Sequence, residues 1–247
     1  MELVSLHPFD PAVAVRYVRA VTGAEEPDAA WRAWWDAGVR AAVDEARQGS
    51  ERAANLITLG LARALAHEHP AFVRDGFGLT LWEARVDRGV GMLMRPPSRL
   101  FVDAGLDRQA VQHMPIRLDL HGGLMGGAYV PARLVNDLHE LLEFRLERMA
   151  RRLHEADYDP VAMIGLMFAA VDYARERGLG LYEALDAVGA PIPGMRLVEA
   201  NPRTMDRELR RRIEAAIRPR KRPGLLARLF GRGGASPANG EWKEPLA

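Results

Sequence analysis

Chemistry-bearing side chains gather most densely between His113 and Arg133, in the run HMPIRLDLHGGLMGGAYVPAR. Within it Arg117, Asp119 and His121 alternate with Ile116, Leu118 and Leu120. That period of two marks a half-buried strand, with the three polar groups on one face at intervals of about 6.6 Å. Gly122, Gly123, Gly126 and Gly127 follow directly. Glycines there let backbone N–H groups approach a ligand closely, and Arg117, His121 and Arg133 would flank an anion held by them. Arg95 and Arg99, on expected strands or their ends, would add bidentate anion contacts. In a closed pocket Asp119 could orient His121 as a general base, whereas on an open sheet face the same pair is solvated.

Sharper motifs are missing from this stretch. No Gly-Lys-Ser/Thr follows the glycines, so the loop is not a P-loop, and GxGxxG is absent. His121-Gly122-Gly123 resembles the oxyanion-hole stretch of α/β-hydrolases, but no GxSxG supplies a nucleophile. The serines are Ser5, Ser50, Ser98 and Ser236, none in a nucleophile's context. His67-Glu68-His69 is the tightest group of metal-ligand types, yet HExxH is absent and nothing completes the set at standard spacing. No catalytic residue, metal or cofactor is therefore assigned.

Composition narrows the class. The chain has 247 residues, 48% of them hydrophobic, which suits one domain with a sizeable core. The absence of cysteine excludes disulfides, thiolate zinc sites and cysteine nucleophiles, and it fits a reducing compartment. No apolar run approaches the roughly 20 residues of a membrane-spanning helix. MELVSLHPFDPAVAV carries acids and lacks the basic start and apolar run of a signal peptide, so a cytoplasmic protein is expected. Lys221 and Lys243 are the only lysines, and so strong an arginine bias weakens any single arginine as a functional signal. A net charge of +1 conceals an asymmetry. Residues 207–232 hold ten basic and two acidic side chains, a charge of +8. Residues 1–206 hold 23 basic and 29 acidic ones, a charge of −6.

The elements that would position these residues follow from periodicity and caps. Asp10-Pro11 starts a helix that Gly23 ends; Asp28 caps a second over about 29–47, with Trp31, Trp34 and Trp35 as a core stripe; Ser50 caps a third over about 51–67. Leu79–Val86 and Val90–Met94, around Asp87-Arg88-Gly89, predict a β-hairpin, and Arg99–Val102 a further strand. Asp107 would cap a short helix reaching His113. Pro131–Ala156 is the longest helix. Leu134, Leu138, Leu141, Leu142, Met149 and Leu153 lie inward on it, and Glu143, Glu147, Arg148, Arg151 and Arg152 form a solvated face. Asp159-Pro160 opens an apolar helix ended by Gly178. A short helix over Tyr182–Val188, a loop over Pro191–Pro202 and a last helix over about 204–217 complete the body.

The fold expected is α+β, with N- and C-terminal helices packed on a small, mainly antiparallel sheet formed by about residues 78–130. Residues 1–218 form one domain, and 219–247 a disordered basic tail with a short amphipathic segment at 225–230. In that segment Leu225, Leu226, Arg228, Leu229 and Phe230 have the composition of a docking peptide for a protein partner or an anionic membrane surface. The charge would also hold nucleic acid non-specifically, but no recognition motif accompanies it and that partner ranks lower. The first reading is a non-catalytic regulatory or adaptor protein that uses this tail. The alternative is an enzyme or sensor of a small, phosphate-bearing anion centred on Arg95, Arg99, Arg117, Asp119, His121 and the glycine loop.

Overall fold

A strand that the sequence reading passed over, β1 (Leu3–Phe9), lies at the middle of the sheet. The computed structural model describes residues 3–96, 99–106, 128–185, 195–200 and 205–218. After β1 come α1 (Pro11–Thr22), a 3-10 turn (Ala29–Trp31), α2 (Arg32–Trp34), a π turn (Trp35–Val39), α3 (Arg40–Arg47) and α4 (Glu51–Glu68). Then follow β2 (Ala71–Asp75), α5 (Leu79–Leu81), a π turn (Trp82–Val86), α6 (Gly89–Leu93) and α7 (Arg99–Asp103). The remainder is β3 (Tyr129–Val130), α8 (Ala132–Glu155), α9 (Pro160–Glu176), β4 (Gly180–Leu185), β5 (Leu197–Glu199) and α10 (Arg207–Ile217). No helix among the described residues is long and apolar enough to cross a membrane.

The fold is α+β, and its small sheet is mainly antiparallel. Five strands run in the order β3-β4-β1-β2-β5. Only the β2–β5 pair is parallel. β1 pairs with β4 from Val4↔Leu185 to Phe9↔Gly180 and with β2 from Leu3↔Asp75 to Leu6↔Phe72. Alternation along the strands sends Phe9, Ala71, Val73, Tyr129, Tyr182 and Ala184 to one face, against α1, α3, α4 and α7. Leu6, Phe72, Val130 and Leu181 face the opposite way, onto α6, α8, α9 and α10. Helices therefore cover both faces.

The helix ends obey local rules. Asp10, Ser50 and Asp159 accept backbone N–H groups at the starts of α1, α4 and α9, and Gly23 closes α1 at φ 78°. Trp31, Trp34 and Trp35 are buried in edge-on and tilted contact with Tyr17 and one another, as a core stripe. Leu138, Leu142, Met149 and Leu153 of α8 are buried, with Leu134 and Leu141 half-buried.

Several expected strands are helices, and the sheet sits elsewhere in the chain. The hairpin expected over 79–94 is helical. Leu79, Trp82, Val86 and Val90 recur every three or four residues, and all four are buried on one side. The strand expected at Arg99–Val102 is the helix α7, stabilised by an Arg99–Asp103 pair one turn apart, 3.1 Å. Of the sheet expected within about 78–130, the described residues keep β3 and a bridge between Arg95 and Tyr129. The helix expected at Tyr182–Val188 begins inside strand β4, and the loop at Pro191–Pro202 contains β5. Both strands take their conformation from hydrogen-bonded neighbours far away in the chain. The expected strand 116–121, the glycines 122–127, the helix from Asp107 and the tail 219–247 lie outside the described residues.

Gly180 marks where β3 and β4 approach most closely. A Cβ there would stand 2.8 Å from the Val130 carbonyl oxygen and 3.0 Å from Tyr129 Cε2. Gly38, by contrast, meets nothing within 4 Å. Gly180→Ala is expected to destabilise the fold by about 1–3 kcal/mol, as overpacking of a tight site does. Gly38→Ala should be neutral or stabilising by up to about 1 kcal/mol, because alanine restricts the unfolded helix segment. Paired urea titrations of the two variants check the contrast.

Candidate functional site

The structure engages the described arginines of the sequence-level site in other contacts. The Arg95 backbone exchanges hydrogen bonds with Tyr129, and its Nη1 donates to the carbonyls of Met92 (2.9 Å) and Met94 (2.6 Å) at the end of α6. Arg99 Nε donates to Asp103 Oδ1 at 3.1 Å, and Arg133 Nη1 stands 3.7 Å from the other oxygen of that carboxylate. Burial, and then the Asp103 carboxylate to which it hydrogen-bonds, push the Tyr129 hydroxyl above its usual range. Arg99 and Arg133 thus meet at Asp103, and an anion drawn to them would compete with it. Arg117, Asp119, His121, Gly122, Gly123, Gly126 and Gly127 lie outside the described residues, as do Leu225, Leu226, Arg228, Leu229 and Phe230.

Polar groups inside the core are mostly braces. Asp87 is buried and accepts the Gly89 N–H at 2.7 Å and Arg145 Nη1 at 2.7 and 3.0 Å on its two oxygens. Glu183 is fully buried; its oxygens accept the Thr80 N–H (3.0 Å) and hydroxyl (2.6 Å), anchoring the first turn of α5 to the sheet. Burial pushes the Glu183 carboxyl up, against the pull of those hydrogen bonds. His69 Nε2 lies 3.4 Å from Asp10 Oδ2, and its Nδ1 lies 3.3 Å from the Tyr173 hydroxyl. With both ring nitrogens engaged, His69 ties the end of α4 to α1 and α9 rather than offering a free base. Among the described residues no three His, Asp or Glu side chains converge as metal ligands would.

Ser5 and His7 form a further pair on the central strand, both fully buried. Ser5 Oγ donates to the Ala184 carbonyl (3.3 Å), so it accepts Nε2–H of His7 at 2.8 Å. His7 Nδ1 is then the bare nitrogen, and neither it nor the hydroxyl of Tyr182, whose ring centre lies 6.1 Å from that of His7, has a partner among the described residues. Burial pushes His7 down to about 3, so the ring is neutral across the physiological range. With no exposed surface, this serine–histidine pair does not meet a substrate.

What stands open is the outer face of α8. Phe144 is 87% exposed on this 24-residue helix, off the buried stripe and among charged neighbours. Glu143, Phe144, Arg145, Glu147, Arg148 and Arg151, with Arg212 from α10, line a depression of about 460 Å³. Arg212 reaches across to Glu143 at 2.8 Å, and Arg151 pairs with Glu147 at 3.6 Å. A second depression, of about 390 Å³, adjoins it through Arg145 and Arg148. Its other basic residues are Arg152 on α8 and Arg85 and Arg88 from the segment before α6. The charged run reads from the sequence as a solvated face, and its residues are exposed or half-buried here; what the sequence reading leaves out is the depression around Phe144. The available signal was an aromatic residue, Phe144, placed where the helical period calls for a polar one.

Comparison with protein families, with curated proteins and with solved structures finds no match for this chain.

Neutral burial of His7 makes the fold acid-sensitive. The unfolded chain takes up a proton at the imidazole near pH 6.5, while the native state holds out to about 3. This group's contribution is therefore intact above pH 6.5 and is lost as pH falls below it, by about 1.4 kcal/mol per pH unit. Between pH 7 and pH 5 the wild type should lose more stability to denaturant than His7→Asn does, because the variant lacks the imidazole proton uptake on unfolding.

Proposed function

We propose that this chain is a non-catalytic binding protein of regulatory or adaptor type, and that it docks an acidic protein partner on the outer face of α8 and α10. Phe144 carries the proposal. A phenylalanine 87% exposed on a long, well-packed helix leaves apolar area in water, and covering it is worth about 1.5–3 kcal/mol. Arginine and aromatic residues are the types that concentrate binding energy at the centre of interfaces. Here Phe144 stands within about two helical turns of Arg145, Arg148 and Arg151, and shares its depression with Arg212.

Charge selects the kind of partner. Glu143 and Glu147 stand among the arginines, and would repel a polymer of phosphates but can pair with the scattered bases of a protein. The chain's own stretch beyond α10, with Arg218, Arg220, Lys221 and Arg222, matches the face in sign, which favours a separate acidic protein as the occupant. In sequence, α10 leads straight into Arg218, Arg220, Lys221 and Arg222, and the docking peptide Leu225–Phe230 follows. The tail thus adds a second basic element that an acidic partner can engage.

The test places a photo-crosslinking amino acid at position 144, with position 56 on α4 as control. Crosslinking to a defined acidic protein at 144 and not at 56, insensitive to nuclease, supports the proposal. Crosslinks only to nucleic acid, or none at 144, would sink it. Phe144→Ser should reduce partner recovery at least tenfold while leaving the thermal midpoint within about 1 °C, since an exposed side chain contributes little to folding.

A further inference from the structure

We infer that the depression between α8 and the 83–88 segment is a binding site for a compact phosphate anion of diphosphate type. It needs no property of the protein partner proposed above. Arg145, Arg148 and Arg152 stand at spacings of three and four residues, so they form one stripe along α8. Arg85 and Arg88 form the facing wall, and the hollow between them holds about 390 Å³. That volume falls in the ordinary range of small-molecule sites.

The arginines have different tasks. Arg145 is fixed in place: its Nη1 is held by both oxygens of buried Asp87, and Asp87 is itself held by the Gly89 N–H. Among the described residues Arg88, Arg148 and Arg152 have no carboxylate partner, and Arg85 reaches only the Tyr158 hydroxyl, at 3.4 Å. With the Arg145–Asp87 pair set aside, four guanidinium groups face the carboxylate of Glu83 in the same hollow. Three positive charges remain uncompensated. A single carboxylate offers one charge and two oxygens, too few for forks on two walls. A phosphomonoester brings about 1.5–2 negative charges and three strong acceptor oxygens. A diphosphate brings more of each and comes closest to matching the excess. Guanidinium forks grip phosphate oxygens in pairs, which a lysine ammonium cannot do. Such a group arrives free, as on a nucleoside diphosphate, whereas a phosphoserine presents only a single phosphate.

Isothermal titration of the full-length chain with inorganic pyrophosphate, with sulfate as control, reads the site directly. Saturable one-site binding of pyrophosphate, at least tenfold tighter than sulfate, is expected. It should weaken at least tenfold in Arg148→Ala/Arg152→Ala and in Arg88→Ala. These side chains are exposed, so the variants should keep the wild-type thermal midpoint. Arg148→Lys should lose most of the affinity although the charge is kept. Glu83→Gln should tighten binding several-fold by removing the one opposing charge. A phosphoserine peptide titrated in parallel tests the charge argument: weaker binding than pyrophosphate is expected of a single phosphate, and tighter binding overturns the diphosphate assignment. No saturable binding of either, or binding unchanged in the double variant, overturns the inference. That result leaves the Phe144 crosslink unaffected, so the two proposals fail separately.

Discussion

Burial of β1 on both faces is the constraint from which the rest of this structure follows. A strand with no solvated face must pair every backbone polar group along its length, because an orphaned one in the core costs about as much as a lost hydrogen bond. β4 pairs with β1 from Val4 to Phe9 on one side, and β2 from Leu3 to Leu6 on the other. Its own polar side chains need partners too. Ser5 bonds to His7 and to the Ala184 carbonyl, and the imidazole stays neutral. On β4, Glu183 points to the opposite face and holds the first turn of α5. Polar residues at the sheet centre thus join the layers of the fold.

The same division between inside and outside leaves the unburied charge at the periphery. Asp87, buried beside α6, orients Arg145 from within, while Arg85, Arg88, Arg148 and Arg152 remain in water around it. One buried carboxylate can set the position of a guanidinium group at the rim of a surface site without neutralising its neighbours. Phe144 and Arg212 extend that surface along α8 to α10. Arg99 and Arg133 show the opposite arrangement, in which two arginines share the carboxylate of Asp103.

Some of this was legible in the residues and some was not. Helix starts and stops were: Asp10-Pro11, Ser50 and Asp159-Pro160 cap where their side chains and ring geometry require, and the tryptophan stripe is core. Strands were not. β1 alternates Val4 and Leu6 with Ser5 and His7, yet both sets are inside, and Pro8 argues against a central strand. Leu79–Val86 reads as a strand because apolar residues are frequent there, but the spacing of Leu79, Trp82 and Val86 is helical. The α8 arginines were visible as a charged run, whereas their convergence with Arg85 and Arg88 was not.

The amino-acid sequence by itself determined the mixed α+β class, the helices with their caps, the inward stripe of α8 and the contrast between an acidic body and a basic segment at 207–232. All of these rest on interactions within a few residues, through i→i+4 hydrogen bonds, side-chain caps and net charge. The tertiary structure alone decided that Leu3–Phe9 is the central strand and that Gly180–Leu185 pairs with it. It alone brought the 83–88 segment opposite Arg148 and Arg152. A strand is completed by neighbours distant in the chain, here with Ala184 lying 179 residues from Ser5, and a surface hollow by side chains from separate elements. No local pattern encodes either one.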